Sequence, residues 1–221
     1  MNSKPVGVFG GTFDPVHYGH LRLAEEMLEL ANLRQIRFIP AGVPPHREVP
    51  QVSARHRSAM VQLAIADQPA FVLDEREANR TAPCYTVDTL RELRADLGLN
   101  QPLCLLMGGD AFLQLHTWHE WEQLFDLAHI VIGCRPGFTI DERIHSATAE
   151  LQQHYQQRLC TADDLSLQPS GGIAELAIPK LEISATDIRQ RVAKNRTIRY
   201  LLPNAVAHYI HQHHLYTHAD Y

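Results

Sequence analysis

Nowhere does this chain approach the ~18 consecutive apolar residues of a membrane-crossing helix, and its opening stretch MNSKPVGVFGG lacks the apolar segment of a secretion signal. Both absences lead to the expectation of a soluble, cytoplasmic protein with no membrane partner. Basic residues are not in excess either, since 20 Lys and Arg stand against 25 Asp and Glu for a formal net charge of −5. Nucleic acid needs a broad basic face and is therefore not expected as a partner, whereas a small anion needs only a local cationic pocket. Cysteine is scarce. Cys84, Cys104, Cys134 and Cys160 are widely scattered, without the close pairs of a metal ribbon or a thioredoxin-like site, and read as reduced thiols. The chain holds no G-x-x-x-x-G-K-[ST] loop, which excludes P-loop chemistry, and it has no internal repeat and no low-complexity segment.

What is present is an alternation of short apolar runs and helical patterns. The run Val6 to Phe9 ends at Gly10-Gly11 and is followed by the helical spacing of Leu21, Ala24, Met27, Leu28 and Ala31. The theme returns as Ile36 to Ile39, a Pro-rich loop from Pro40 to Pro50, and a helix beginning near Ser53. Further strands are expected at Phe71 to Leu73, Leu103 to Met107, His129 to Cys134 and Ala174 to Ile178, with a helix from Thr86 to Leu97 that Thr86 caps and Gly98 stops. Six strands with interleaved helices predict an α/β fold, a doubly wound parallel sheet in a single domain spanning 1–221. The polar, Gln-rich stretch between Asp141 and Gln168 reads as an exposed helix followed by a linker. From Pro203 onward one more helix is expected, amphipathic through Val206, Tyr209 and Ile210; its histidines (His208, His211, His213, His214 and, beyond it, His218) read as an exposed face rather than a metal site.

The chemistry concentrates in Gly10-Gly11-Thr12-Phe13-Asp14-Pro15-Val16-His17-Tyr18-Gly19-His20, between the first strand and the first helix. An open parallel sheet binds phosphate-bearing ligands at that position, under a helix N-terminus. Paired glycines let backbone N–H groups approach phosphate oxygens. His17 and His20 stand three apart, so both rings can face one polyphosphate and donate to it, and Gly19 leaves room beside them. Taken singly, a Gly-Gly after a strand is usually a turn and a pair of histidines is usually structural. A zinc site lacks a third ligand at a usual spacing.

The segment GGTFDPVHYGH resembles the H-x-G-H signature of the nucleotidyltransferase superfamily, and Ile183-Ser184-Ala185-Thr186-Asp187-Ile188-Arg189 resembles its I-S-x-T-x-x-R motif. Within that superfamily the chain is similar to bacterial nicotinate-mononucleotide adenylyltransferases along nearly its whole length, through Pro45-His46-Arg47, Tyr85-Thr86-Val87-Asp88, Gly108-Gly109-Asp110, Trp118, Arg135-Pro136-Gly137 and Arg199-Tyr200-Leu201-Leu202-Pro203. Arg47, Cys84 and Ala185 depart from the residues common there without removing a charge or ring the chemistry needs. The resemblance implies a Rossmann-like domain, with 183–221 as a small helical C-terminal portion carrying the second motif. It implies that Gly10, Gly11, Thr12, Phe13, His17, His20, Ser184, Thr186 and Arg189 bind ATP, with His17, His20 and Arg189 stabilising the triphosphate and transition state. Mg²⁺ would accompany ATP, bridging its β and γ oxygens. The acceptor, nicotinate mononucleotide, would meet Arg47, Thr86, Asp110, Trp118 and Arg135.

Three of those residues keep a structural alternative: Trp118 as a core or hinge residue, Asp110 as a helix N-cap, and Arg47 as a solvated loop arginine. An acceptor phosphate is already largely ionised at neutral pH, its second pKa being about 6. No general base is needed, which agrees with the lack of a nucleophilic Ser or Cys constellation. Nicotinamide mononucleotide and phosphopantetheine stand as rival acceptors, and a nucleotide-sensing module without catalysis as a rival of another class.

Overall fold

The computed structural model describes residues 3–42, 49–134, 137, 139–179 and 181–217. Its six strands are β1 (Val6–Gly11), β2 (Gln35–Pro40), β3 (Phe71–Leu73), β4 (Leu103–Gly108), β5 (His129–Cys134) and β6 (Ile173–Ala177). They form one sheet in the order β3-β2-β1-β4-β5-β6. Neighbours from β1 onward run parallel, with Val6 opposite Leu103, Leu105 opposite Ile130 and Val131 opposite Ala174. That order is the doubly wound one, reversing at β1, and the loop leaving the carboxyl end of β1 is where such sheets bind ligands. The strands read as near-continuous apolar runs because sheets of this kind are covered on both faces; Val6, Leu103, Ile130, Val131 and Ile132 are fully buried.

Helices fill the connections as the periodicity foretold. They are α1 (Tyr18–Leu30), α2 (Ala54–Ala64), α3 (Thr86–Leu97), α4 (Gly109–Leu113), α5 (Leu124–Leu127), α6 (Ala149–Arg158), α7 (Ala185–Ala193) and α8 (Asn204–Gln212). Ser53 caps α2 by accepting from the His56 N–H. Gly98 ends α3 at φ 91°, a left-handed position that favours glycine. Two caps differ from expectation. Thr86 is the first helical residue of α3, and the N-cap is Tyr85, whose extended backbone makes the turn with no side-chain bond. Asp110 lies inside the first turn of α4, capped by Gly108, where its carboxylate complements the helix dipole instead.

The Gln-rich stretch is also more buried than it reads. Leu151 and Tyr155, four apart on α6, are buried, and the Tyr155 hydroxyl donates to the Glu175 carboxylate on β6. Two apolar residues at helical spacing suffice to dock a helix whose other faces are polar.

Chain contacts divide the molecule into two compact units interleaved along the sequence. One comprises residues 1–9, 23–37 and 85–179, with a core of β4, β5 and β6 against α3 and α5. The other comprises 10–22, 38–84 and 180–221, and it gathers the loop after β1, α2, α7 and α8. Both signature motifs therefore fall within the same unit.

Candidate active site

Local geometry fixes the two histidines before any ligand arrives. Val16 and His17 are buried, and α1 starts at Tyr18, whose N–H donates to Leu201 O at 3.0 Å. The Gly19 N–H donates to His17 Nδ1 at 3.1 Å, and the His17 N–H to His20 Nδ1 at 3.3 Å. Each Nδ1 is thus an acceptor, so each neutral ring carries its proton on Nε2. The rings stack at 3.8 Å between centroids, inclined by 29°. A Cβ at Gly19 would lie 2.9 Å from His17 Cε1 and Nδ1, so only glycine keeps the stack.

Electrostatics hold both rings neutral. Burial lowers His17 to about 4, and burial together with the adjacent His17 drives His20 well below its ordinary value. The pair is therefore held as neutral imidazoles protonated on Nε2 rather than as two cations, a form able to donate to an anion.

The glycines ahead of them differ in use. A Cβ on Gly10 would meet nothing within 4 Å, which leaves open space over its backbone, whereas a Cβ on Gly11 would lie 2.9 Å from the Phe13 ring. Phe13 is only 2% exposed and packs on His20, edge-on at 5.1 Å, and on Phe38 at 5.8 Å. Its ring supports the site from within, leaving the backbone of Phe13 as the part that can meet a ligand. Thr12 is half-buried.

The second motif joins the first directly. Ser184 caps α7 by accepting from the Asp187 N–H at 3.1 Å. Arg189, one turn in, donates through Nη1 to the Asp14 carbonyl at 2.8 Å and through Nη2 to Thr186 Oγ1 at 3.3 Å. Residues 175 apart in sequence are so brought together, with the guanidinium held by two bonds and further N–H groups available for phosphate oxygens.

Three residues to which the sequence reading gave no role of their own complete the support. Arg57 is 1% exposed and reaches from α2 to Thr12 O at 2.7 Å and Ala41 O at 2.6 Å, holding the loop from beneath. Asp14, also buried, accepts from the Tyr216 hydroxyl at 2.7 Å and the Gln51 N–H at 2.9 Å. Burial and the Asp14 carboxylate push the Tyr216 phenol far above its ordinary value, so it stays a donor. A signal for Arg57 did exist: it stands three and four positions before Met60 and Val61, on the face of α2 that is buried. Next to Arg57 lies a cavity of ≈ 300 Å³ whose lining includes Gly42, Gln51, Ser53 and Arg80.

Of the expected acceptor residues, Thr86, Asp110 and Trp118 belong to the other unit. Thr86 is half-buried at the start of α3. Asp110 has a side chain 75% exposed and pairs with Arg143 at 3.1 Å. Trp118, half-buried, follows a short turn in which its N–H donates to Leu115 O at 2.9 Å. Just beyond it the His119 ring lies 4.3 Å from Tyr85, and Arg91 ties Asp88 to Glu120 and Gln123. Arg47 and Arg135 lie outside the described residues. His208, His211, His213 and His214 are exposed, as read, with His213 leaning on Tyr209 at 4.2 Å; His218 lies outside the described residues.

Residues 8–191 match the family model described as cytidylyltransferase-like. A probable nicotinate-nucleotide adenylyltransferase of Dechloromonas aromatica is 50% identical over 215 residues, covering 97% of this chain and 98% of that protein. The probable enzyme of that name in Serratia proteamaculans is 45% identical over 210 residues, 95% of this chain and 94% of that one. The nicotinate-nucleotide adenylyltransferase of Escherichia coli is 43% identical over 210 residues, 95% and 97% of the two chains. In three dimensions, Plasmodium falciparum nicotinic acid mononucleotide adenylyltransferase complexed with NaAD superposes with a TM-score of 0.73 at 21% identity, covering 98% of both chains. At that identity the likeness bears on the fold alone.

Proposed function

The chain belongs to the cytidylyltransferase-like family and, within it, to the nicotinate-nucleotide adenylyltransferases, and from that premise we infer that it transfers the adenylyl group of ATP to nicotinate mononucleotide, giving nicotinate adenine dinucleotide and pyrophosphate for NAD biosynthesis. The observation that supports carrying the reading from family to residues is the 2.8 Å bond from Arg189 to the Asp14 carbonyl, which brings the two motifs together.

The chemistry is in-line displacement. An oxygen of the acceptor phosphate bonds to the α-phosphorus of ATP while the bond to the α–β bridging oxygen breaks, its electron pair leaving with pyrophosphate. The nucleophile is already ionised, so the protein's task is alignment and stabilisation of charge. His17 and His20 donate from Nε2 to phosphate oxygens, and the fixed Arg189 fork binds the triphosphate alongside the hydroxyls of Ser184 and Thr186. The open backbone at Gly10 suits close approach of the same group.

ATP would enter as its Mg²⁺ complex, and the cation would supply charge neutralisation as pyrophosphate departs. Among the described residues no group of three or more His, Cys, Asp or Glu side chains is placed to hold a metal, and this reading requires none. On the acceptor side, stacking by Trp118 suits a flat, electron-poor pyridine ring, with Thr86 and Asp110 as further contacts and Arg47 and Arg135 as cationic ones. No described helix is long and apolar enough to cross a membrane, and the reading places the protein in the cytoplasm, where its substrates are, acting on small molecules and not on nucleic acid.

Incubation with Mg-ATP and nicotinate mononucleotide, followed by mass spectrometry, tests the proposal. Nicotinate adenine dinucleotide appearing in step with pyrophosphate supports it; ATP consumed without the dinucleotide refutes it.

A further inference from the structure

The far C-terminal turn of the described chain does something that neither motif requires. After α8 the backbone adopts left-handed angles at His214 (φ 51°) and Tyr216 (φ 60°). A bulky aromatic residue rarely takes that conformation, and it persists only where the surroundings over-determine it. Here they do. The Leu215 N–H returns to Ile210 O at 3.0 Å and its side chain is 8% exposed, while Tyr216 is 6% exposed with its hydroxyl on Asp14 Oδ1.

Asp14 is consequently held at three atoms by three separate segments. Oδ1 accepts from Tyr216, Oδ2 from the Gln51 N–H, and the carbonyl from Arg189 Nη1. The position of the Asp14 carbonyl sets where the Arg189 guanidinium stands, and the Asp14 side chain sets the position of that carbonyl. Remove the Tyr216 hydroxyl and Oδ1 becomes a buried acceptor without its donor, free to be relieved only by shifting the loop.

We propose that the turn 214–216 is a latch on the phosphate loop, and that Tyr216 is a positioning residue for adenylyl transfer, acting through Asp14 to place Arg189. The inference rests on the adenylyltransferase reading for its kinetic consequence, but its structural consequence is independent of that reading. The latch links the turn after α8 to the loop after β1, so the site is complete only when residues 214–216 are in place. Because Tyr216 touches no reacting atom, its loss acts on the alignment of the triphosphate and spares the acceptor.

The test compares wild type, Tyr216→Phe and Tyr209→Phe as full chains. Tyr216→Phe keeps the ring and its packing and deletes only the donor. Tyr209→Phe removes a hydroxyl from α8 that bonds His56 instead, and serves as the control. Two readouts are taken: amide hydrogen exchange across the whole chain, and steady-state kinetics with Mg-ATP and nicotinate mononucleotide. In Tyr216→Phe, exchange should rise about tenfold in residues 11–17 with α3 and β5 unchanged. Its kcat should fall about tenfold with KM for nicotinate mononucleotide within about twofold of wild type. Tyr209→Phe should match wild type in both. Unchanged exchange in 11–17, an unchanged kcat, or a rise in exchange spread evenly over the chain would overturn the latch. Wild type that makes no dinucleotide would sink the proposed function separately, and loop exchange in Tyr216→Phe would then decide the latch by itself.

Discussion

Buried neutral histidines make folding sensitive to acid, and the size of the effect can be worked out. His17 is 6% exposed, and its folded-state pKa is lowered by burial from 6.5 to about 4. Between those values the unfolded chain binds a proton that the folded chain refuses, so stability falls as pH falls, by about 1.4 kcal/mol per pH unit. The contribution is fully retained above pH 6.5 and is lost as pH descends toward 4. From pH 7 to pH 5 the loss from this one ring is about 2 kcal/mol. His20 shifts in the same direction and, being lowered further by His17, is coupled to it. The perturbation is His17→Gln, which removes the titrating ring and offers an amide oxygen to the Gly19 N–H. Urea unfolding of both proteins at pH 7 and pH 5 is the assay. His56 and His129, also lowered by burial, titrate in both proteins and cancel in the comparison. Wild type should lose about 2 kcal/mol more than His17→Gln over that interval. Equal losses would mean that His17 is not held neutral by its surroundings, and the account of the histidine pair as fixed Nε2–H donors would go with it.

The other expectations are kinetic. His20→Ala should lower kcat roughly a hundredfold while leaving acceptor KM nearly unchanged; unaltered turnover would remove His20 from the transition state. Gly19→Ala inserts a Cβ 2.9 Å from the His17 ring and should lower kcat by at least about tenfold while circular dichroism shows the fold retained; a fully active variant would show that the ring stack is dispensable. Trp118→Ala should raise KM for nicotinate mononucleotide about tenfold with ATP affinity intact, and a defect confined to ATP would take Trp118 out of the acceptor site.

The sheet was legible in the sequence because buried parallel strands are continuous apolar runs, and all six such runs became strands within a few residues of their expected ends. The motifs were legible from the combination of glycines, histidines and location and from their resemblance to a known family, since neither residue type is distinctive alone. What stayed hidden is what depends on distant contacts. Nothing local to Asp14 announces that its carboxylate meets Tyr216, 202 positions later. Thr86 looked like a cap because threonine prefers that place, yet the backbone turns at Tyr85. Phe13 reads as part of a ligand loop, and its ring instead turns into the core beneath Gly11. Protonation was hidden too: the spacing allowed both rings to donate to an anion, and only their burial shows that they are held neutral.

Acceptor choice is where the central claim is most exposed. Pyrophosphate release from Mg-ATP should be measured with nicotinate mononucleotide, nicotinamide mononucleotide and phosphopantetheine at equal concentration. Strong preference for nicotinate mononucleotide is the predicted result; preference for either of the others, or silence with all three, would contradict it.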